Sequence, residues 1–456
     1  MKHLSTPLFK RTILTFTQRE VTMALPRHPL LFLFAMIMLS FADSTVAEDP
    51  LLLFHEGSAK DNNFIVQSTN VLNLKSFDKL GQISSSPKMV NVNDYGAQGD
   101  GKTDDTLAFK KAWEVACSSG IAVFVVPQKN YLLKPITFSG PCKSNIAVQI
   151  TGTVEASDNI SDYNEDRAHW LMFDSVQKLS VKGGGTIDGN GNIWWQNSCK
   201  TNQKLPCKKA PTALTFYKCK DLTVEDLTIR NGQQMHVSFE ESENVIVSGL
   251  TVTAPEDSPN TDGIHITNTQ NIQILNTVIG TGDDCISIES GSRNVQATKI
   301  TCGPGHGISI GSLGSGESKD FVSGVTVNGA KFSGTTNGVR IKTWQGGSGS
   351  ASNIKFQNIQ MEKVTNPIVI DQNYCDQATP CKKQKSAVQI KNVLYENIKG
   401  TSGSDVGVQF DCSEKFPCEG IVLQNIDLQY EDRREAKASC NSVQLSYRGD
   451  VNPQCP

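Results

Sequence analysis

From about residue 145 onward, short runs of alternating apolar and polar residues are separated by turns rich in Gly, Asn and Ser. Alternation with a period of two marks half-buried β-strands. One phrase keeps returning: Asp221-Leu-Thr-Val, Asn244-Val-Ile-Val, Asn271-Ile-Gln-Ile, Asn294-Val-Gln-Ala, Asn353-Ile-Lys-Phe and Ala387-Val-Gln-Ile. The first four are spaced 23, 27 and 23 residues apart, and later intervals lengthen as loop insertions would make them. A period in the twenties carried by strand-forming residues is the mark of a solenoid. The units lack a helical apolar period and a leucine-repeat pattern, which leaves a parallel β-helix of three short strands per coil. A β-sandwich, with turns about every 8 to 12 residues, is the competing architecture. The helix is favoured because chemistry-bearing residues repeat in phase with the coil.

The chain before this region reads differently. Leu30 to Ala42 is an apolar run of 13 residues, preceded by Arg27 and followed by Thr45-Val46-Ala47. It is short for a membrane span and suits a signal-peptide core. Residues 1–47 are therefore expected to be a signal peptide with an extended leader, starting at Met1 or Met23. Residues 48–88 are polar and mixed and read as a pro-segment or linker. Residues 89–456 are expected to form the β-helix. Thr103-Asp104-Asp105 is expected to cap one helix that runs through Cys117, with Leu107, Trp113 and Ala116 apolar.

Net charge is −3, and residues 1–47 carry +3 of it, which leaves −6 for the remainder. A mildly acidic body argues against nucleic acid as a partner, though local cations can still hold an anionic ligand. The 13 cysteines fall into short-range pairs: Cys199 with Cys207, Cys285 with Cys302, Cys375 with Cys381, Cys412 with Cys418, and Cys440 with Cys455. Cys117 and Cys142 make a looser pair, and Cys219 is left as a buried thiol. Such usage fits disulfides in an oxidising compartment. No Cys-x-x-Cys pair occurs, so zinc is not expected. Asn159-Ile160-Ser161 is a glycosylation sequon, with Asn159 the acceptor.

The in-phase residues are Asp262 in Asn260-Thr-Asp-Gly263, the pair Asp283-Asp284 in Gly282-Asp-Asp-Cys285, and His306 in Gly305-His-Gly307. Asp262 and Asp283 are 21 residues apart, Asp284 and His306 22. Arg340 and Lys342 follow 34 residues after His306 and share one face of a strand. Singly, each motif is an ordinary turn or polar strand face. Together they predict one surface bearing three acids, a histidine and two cations. Two carboxyl groups can hydrolyse a glycosidic bond, one as acid and one as base on opposite faces of the sugar. Crowded carboxylates raise one another's pKa, which keeps a proton available. Arg340 and Lys342 point to an anionic sugar, since arginine grips a carboxylate bidentately. Asp283 and Asp284 are expected to face the same site only if the strand is distorted next to Gly282.

These four motifs resemble those of the polygalacturonases, glycoside hydrolase family 28. The wording around them is similar to the plant, fruit-ripening type, notably Gly303-Pro-Gly-His-Gly-Ile-Ser-Ile-Gly-Ser312 and Thr343-Trp-Gln-Gly-Gly347. Asp94-Tyr-Gly-Ala97 and Gly185-Thr-Ile-Asp-Gly189 extend the likeness over about residues 89–456. The resemblance implies an all-β, single-chain right-handed parallel β-helix with a short N-terminal capping helix. It implies inverting, metal-free and cofactor-free hydrolysis of de-esterified α-1,4-galacturonan, with endo action expected. Asp283 would be the general acid, and Asp262 and Asp284 would activate water. His306 would tune the acid. Asn260, Arg340, Lys342 and Tyr374 would bind substrate. A secreted cell-wall monomer acting on pectic polysaccharide follows, with wall inhibitor proteins as expected binders. A pectate lyase, a rhamnogalacturonan hydrolase and a non-catalytic β-helix are the rival readings. The lyase should need a calcium ion held by carboxylates.

Overall fold

The computed structural model describes residues 86–456 apart from 378, 432 and 433. The expected leader, 1–47, and residues 48–85 of the expected pro-segment 48–88 lie outside the described residues, while Lys88 opens the first strand, Lys88–Asn91. Among the described residues, no helix is long and apolar enough to cross a membrane.

The chain winds into a right-handed parallel β-helix. One turn reads Glu243–Ser248, Thr251–Thr253, Ile264–Thr267, and the next reads Gln270–Leu275, Val278–Gly280, Ile286–Ile288. Every strand pairs in parallel with its counterpart one turn later, at a spacing of roughly 4.8 Å. The alternating pattern puts one side chain in two into the bore, where identical positions stack. One column runs Leu222, Val245, Ile272, Val295, Val325, Ile354, Val393, Ile421, all buried. Another stacks Phe138, Phe173, Phe216 and Phe239, with ring centroids 4.9, 5.4 and 5.3 Å apart.

The returning Asn or Asp of the sequence marks one corner of each turn. Asp221, Asn244, Asn271, Asn294 and Asn353 all have φ between 53° and 57°, a left-handed conformation that Asn and Asp tolerate best after Gly. Their side chains form a ladder: the amides of Asn244, Asn271 and Asn294 each donate to the residue one turn before, at 3.0, 3.1 and 3.0 Å. Two sequence assignments change. The long step from Asn294 to Asn353 hides a whole turn, whose corner residue is Gly324, taking the same conformation with no side chain. The phrase at Ala387 is not a ladder position; Asn392 is, donating to Asn353 at 3.4 Å.

The N-terminal end is closed by the helix α1, Thr106–Ser118. Ala108, Phe109, Ala112, Trp113 and Ala116 bury against the first turns and cover the open end of the bore, which would otherwise be exposed. Its cap differs from expectation. Asp104 receives the Thr106 N–H at 3.0 Å, while Asp105 turns back to accept from Gln98 and Gly99 at 2.7 and 3.0 Å. Leu107, read as apolar packing, is exposed. Six disulfides join the pairs named from the sequence, and Cys219 is a buried thiol.

Candidate active site

The sheet containing 264–267, 286–288, Ile308–Leu313 and Asn337–Trp344 forms the floor of a groove. Just ahead of these strands lie the turns that carry the acids. Asp283 and Asp284 occupy a bend before the strand 286–288, so the alternation of a strand does not apply and both side chains reach the groove. The expected distortion therefore lies outside the strand, not as a bulge within it. Gly282 is required there because a Cβ would sit 2.0 Å from the Ser258 carbonyl. The turns are tied to one another through the backbone. Gly263 N–H donates to Asp284 O at 2.9 Å, and His306 N–H donates to Asp283 O at 2.8 Å. The Cys285–Cys302 disulfide anchors the bend from below.

The acids have three different surroundings. Asp284 is buried, and its two oxygens receive Ser309 Oγ at 2.8 Å, Arg340 Nη2 at 3.0 Å and Lys342 Nζ at 2.8 Å. Asp283 binds His306 Nδ1 at 2.9 Å through one oxygen and accepts from Asn260 Nδ2 at 3.2 Å through the other. Burial works to raise the Asp283 pKa, but the His306 hydrogen bond and the charges of His306 and Lys342 outweigh it and hold the carboxyl below its usual range. The same hydrogen bond raises the pKa of His306. Asp262 is buried beside both other acids. Burial, then the Asp283 and Asp284 charges, drive its pKa well above the ordinary value. The hydrogen bond thus favours the proton on His306 rather than Asp283, while the surroundings of Asp262 favour its protonated form.

All eight residues foreseen for the site, namely Asn260, Asp262, Asp283, Asp284, His306, Arg340, Lys342 and Tyr374, line this one groove. Arg340 and Lys342 have a second duty that the sequence did not suggest: they are the counter-ions of Asp284. Arg340 also donates Nε to Ser309 at 3.1 Å, so two of its three nitrogens are engaged inside the protein. Tyr374 packs edge-on against Trp344 and lies under the Lys342 ammonium, 5.5 Å from its ring centroid. Oxygen and nitrogen atoms of Asp283, Asp284 and His306 lie within 4.8 Å of one another. Protein cations and mutual bonds already satisfy them, which leaves a metal ion few unneutralised donors there.

Four residues in or beside the groove escaped sequence reading: His265, Ser287, Ser309 and Glu289. The first three are register partners of the foreseen Arg340 on successive strands. Their signal was present as the middle residue of Ile264-His-Ile266, Ile286-Ser-Ile288 and Ile308-Ser-Ile310, in line with Val339-Arg-Ile341. His265 Nδ1 lies 2.9 Å from Ser287 Oγ, and burial pushes its imidazole down to about 4. The Ser287 hydroxyl also favours the charged form of Asp262, against burial. Glu289 stands at the end of its strand, and burial pushes its carboxyl up to about 7. Towards the N-terminal end the groove runs on into a basic hollow lined by Arg167, Lys200, Lys208 and Lys209 beside Trp194. Asn159, the sequon asparagine, is exposed and far along the chain from the groove residues, its Oδ1 accepting from Ser161 Oγ at 2.8 Å.

A parallel β-helix with acids, a histidine and cations along one groove defines a polysaccharide-processing enzyme of the β-helical class. The model of the glycosyl hydrolases family 28 matches residues 117–451, and the chain belongs to that family; it is a glycoside hydrolase. Polygalacturonase-2 of Solanum lycopersicum is 60% identical over 390 residues, 85% of this chain and 85% of that protein. A polygalacturonase of Malus domestica is 64% identical over 376 residues, 82% of this chain and 80% of its own length. Among solved structures, the endo-xylogalacturonan hydrolase of Aspergillus tubingensis superposes with a TM-score of 0.68 at 23% identity, over 79% of this chain and all of that one. An exopolygalacturonase of Thermotoga maritima does so at 0.66 and 21% identity, over 80% and 91%. These likenesses at low identity speak for the fold.

Proposed function

We propose that the protein is a polygalacturonase that hydrolyses α-1,4 bonds of de-esterified homogalacturonan in pectin. The observation that carries this is the buried Asp284–Arg340–Lys342 ion cluster set beside the hydrogen-bonded His306–Asp283 pair. It offers acid–base groups and positive charge for a galacturonate carboxylate within one groove. The high identity to named polygalacturonases over most of the chain supports the same reading.

In this mechanism the glycosidic oxygen takes a proton from Asp283, which His306 reloads. Excluding water from the pair favours its neutral form, imidazole with carboxylic acid, over the ion pair. Asp262, once ionised, is a stronger base than an ordinary aspartate because its pKa is raised, and it takes the proton of the attacking water. Asp284 holds the water between Asp262 and the cations. The bond from C1 to the leaving oxygen breaks, hydroxide adds at C1 with inversion, and both fragments leave uncharged at the cut. Asn260 orients Asp283, while Tyr374, Arg340 and Lys342 face the sugar.

We assign residues 1–47 to a secretion leader, 48–88 to a pro-segment and 89–456 to the catalytic unit, acting extracellularly in the cell wall as a monomer that wall inhibitor proteins can bind. Asn159 is the expected glycan site. The test is polygalacturonate digestion followed by reducing ends, by absorbance of unsaturated ends and by product size, with and without chelator. New reducing ends without ultraviolet absorbance, unaffected by chelator, support hydrolysis. Absorbing, chelator-sensitive products would make it a lyase. Ladders of oligomers support endo action; monomer alone indicates exo.

A further inference from the structure

The groove is bridged from above. Lys200 Nζ lies 2.8 Å from both oxygens of Asp376, a pair 176 residues apart in sequence. Both residues line the catalytic groove together with Asp283, His306 and Arg340. Their positions in the fold make this a crossing. Lys200 belongs to the loop that enters the floor strand Thr212–Tyr217, so it stands on the wall that also bears the catalytic turns. Asp376 belongs to the loop that leaves the floor strand Asn366–Tyr374, so it stands on the opposite wall. These two floor strands are six turns apart, roughly 29 Å at the ordinary strand spacing. The strands that carry the acids, His306 and Arg340 lie between them. The two loops joined by this ion pair therefore cross the groove beside the catalytic residues.

Its footings are firm and its middle is soft. Lys200 directly follows Cys199 of the Cys199–Cys207 disulfide, and Asp376 directly follows Cys375 of the Cys375–Cys381 disulfide. The two side chains are 44% and 50% exposed. An exposed ion pair contributes little and opens easily. A polymer rich in carboxylates offers Lys200 a substitute partner each time the strap opens, and Lys200 also reaches the basic hollow into which the groove continues.

We propose that Lys200 and Asp376 form an openable strap that determines how the polysaccharide is attacked: it opens to admit an internal segment, then closes over it, so that one encounter yields several cuts. The proposal rests on the reading of the protein as a hydrolase of a carboxylated polysaccharide. Closed, the strap holds the chain against the floor; on opening, Lys200 passes from Asp376 to a substrate carboxylate. Oligomers short enough to enter from the end do not require it to open.

The test compares the wild type with Asp376→Asn on long polygalacturonate and on a short galacturonate oligomer. Viscosity loss per bond cleaved should rise in the variant by up to about fivefold, the largest change a single exposed pair supplies in an opening equilibrium. Early products should shift to longer fragments, while kcat/KM on the short oligomer changes by a smaller factor than the viscosity loss per bond. Lys200→Met should reproduce the shift and in addition raise KM on the polymer. Unchanged viscosity per bond and unchanged early products in both variants overturn the strap. A second measurement is independent of turnover: a Lys200→Cys, Asp376→Cys double variant treated with a short bismaleimide. Cross-linking that stops attack on the polymer supports the strap, and absence of cross-linking overturns it. If the wild type fails to cleave polygalacturonate, the homogalacturonan reading falls, and the cross-linking yield still decides whether the two walls meet.

Discussion

At the scale of single residues, the site is a problem in placing two protons among three aspartates. The hydrogen bond to His306 raises the histidine and, against burial, lowers Asp283, while burial and two neighbouring carboxylates raise Asp262. Activity in the proposed mechanism needs Asp262 ionised and the His306–Asp283 pair protonated. It is lost as pH falls through the raised Asp262 pKa and as pH rises through the raised His306 pKa, which gives a bell in kcat/KM. His306→Asn removes the imidazole store, so Asp283 must hold its own proton and the alkaline limb should move to lower pH. A kcat/KM profile whose alkaline limb stays in place would remove His306 from the acid. Asp283→Asn should lower kcat by about 10²–10⁴ with thermal stability near that of the wild type. Arg340→Ala should be different in kind. Because Arg340 holds Asp284 as well as facing the groove, both kcat and KM should suffer, whereas a residue that only grips substrate would raise KM alone. Sequence spacing brought these residues together correctly but could not show that Arg340 and Lys342 spend their charge on Asp284. That pairing depends on side-chain reach across turns, 56 and 58 residues apart in sequence.

At the scale of the element, each turn is specified by one corner residue and a few inward apolar positions. The interior columns and the alternation were legible because strand period and burial coincide at every turn. The corner was legible wherever the residue is Asn or Asp, and invisible at Gly324, which adopts the left-handed conformation by lacking a side chain. The Ala387 phrase misled because the insertion 375–388 carries apolar residues of its own, five positions ahead of the true corner at Asn392. The middle residues of the Ile-x-Ile triplets were unread for another reason: a polar residue between two isoleucines looks like any outward strand position until the groove is known. The ladder leads to a test. Asn271→Ala loses two side-chain amide bonds, to Asn244 and from Asn294, and forces alanine into a left-handed backbone. The cost should be about 1–3 kcal/mol in urea unfolding. Asn271→Gly keeps the backbone conformation free of strain and should cost less. Equal losses would mean that backbone strain plays no part.

At the scale of the whole molecule, the groove places oppositely perturbed groups close together, and their effects on stability oppose one another. His236 and His265 are pushed by burial from an ordinary 6.5 to about 4. The unfolded chain therefore takes up protons first, and the stability these histidines lend above pH 6.5 is lost as pH falls towards 4. Glu289 behaves in the reverse sense. Burial raises it from an ordinary 4.5 to about 7, so the folded state keeps a proton that the unfolded state releases. Its contribution is fully present below pH 4.5 and is lost as pH rises through 7. Asp262 acts in the same direction as Glu289. Between pH 4 and 7 the two sets partly cancel, and the wild type should show a shallow dependence of unfolding free energy on pH. Glu289→Gln removes part of one side of the balance. At pH 8 the wild type carries a buried Glu289 charge that the variant lacks, so the variant should be more stable by on the order of 2 kcal/mol. At pH 4 Glu289 is protonated in both states and the two proteins should match. The variant should also lose stability more steeply than the wild type on going from pH 7 to 4, because only Asp262 then opposes the histidines. Urea unfolding at pH 4, 6 and 8 decides it: a difference between the two proteins that is the same at all three values would mean that Glu289 does not titrate across this range in the folded protein.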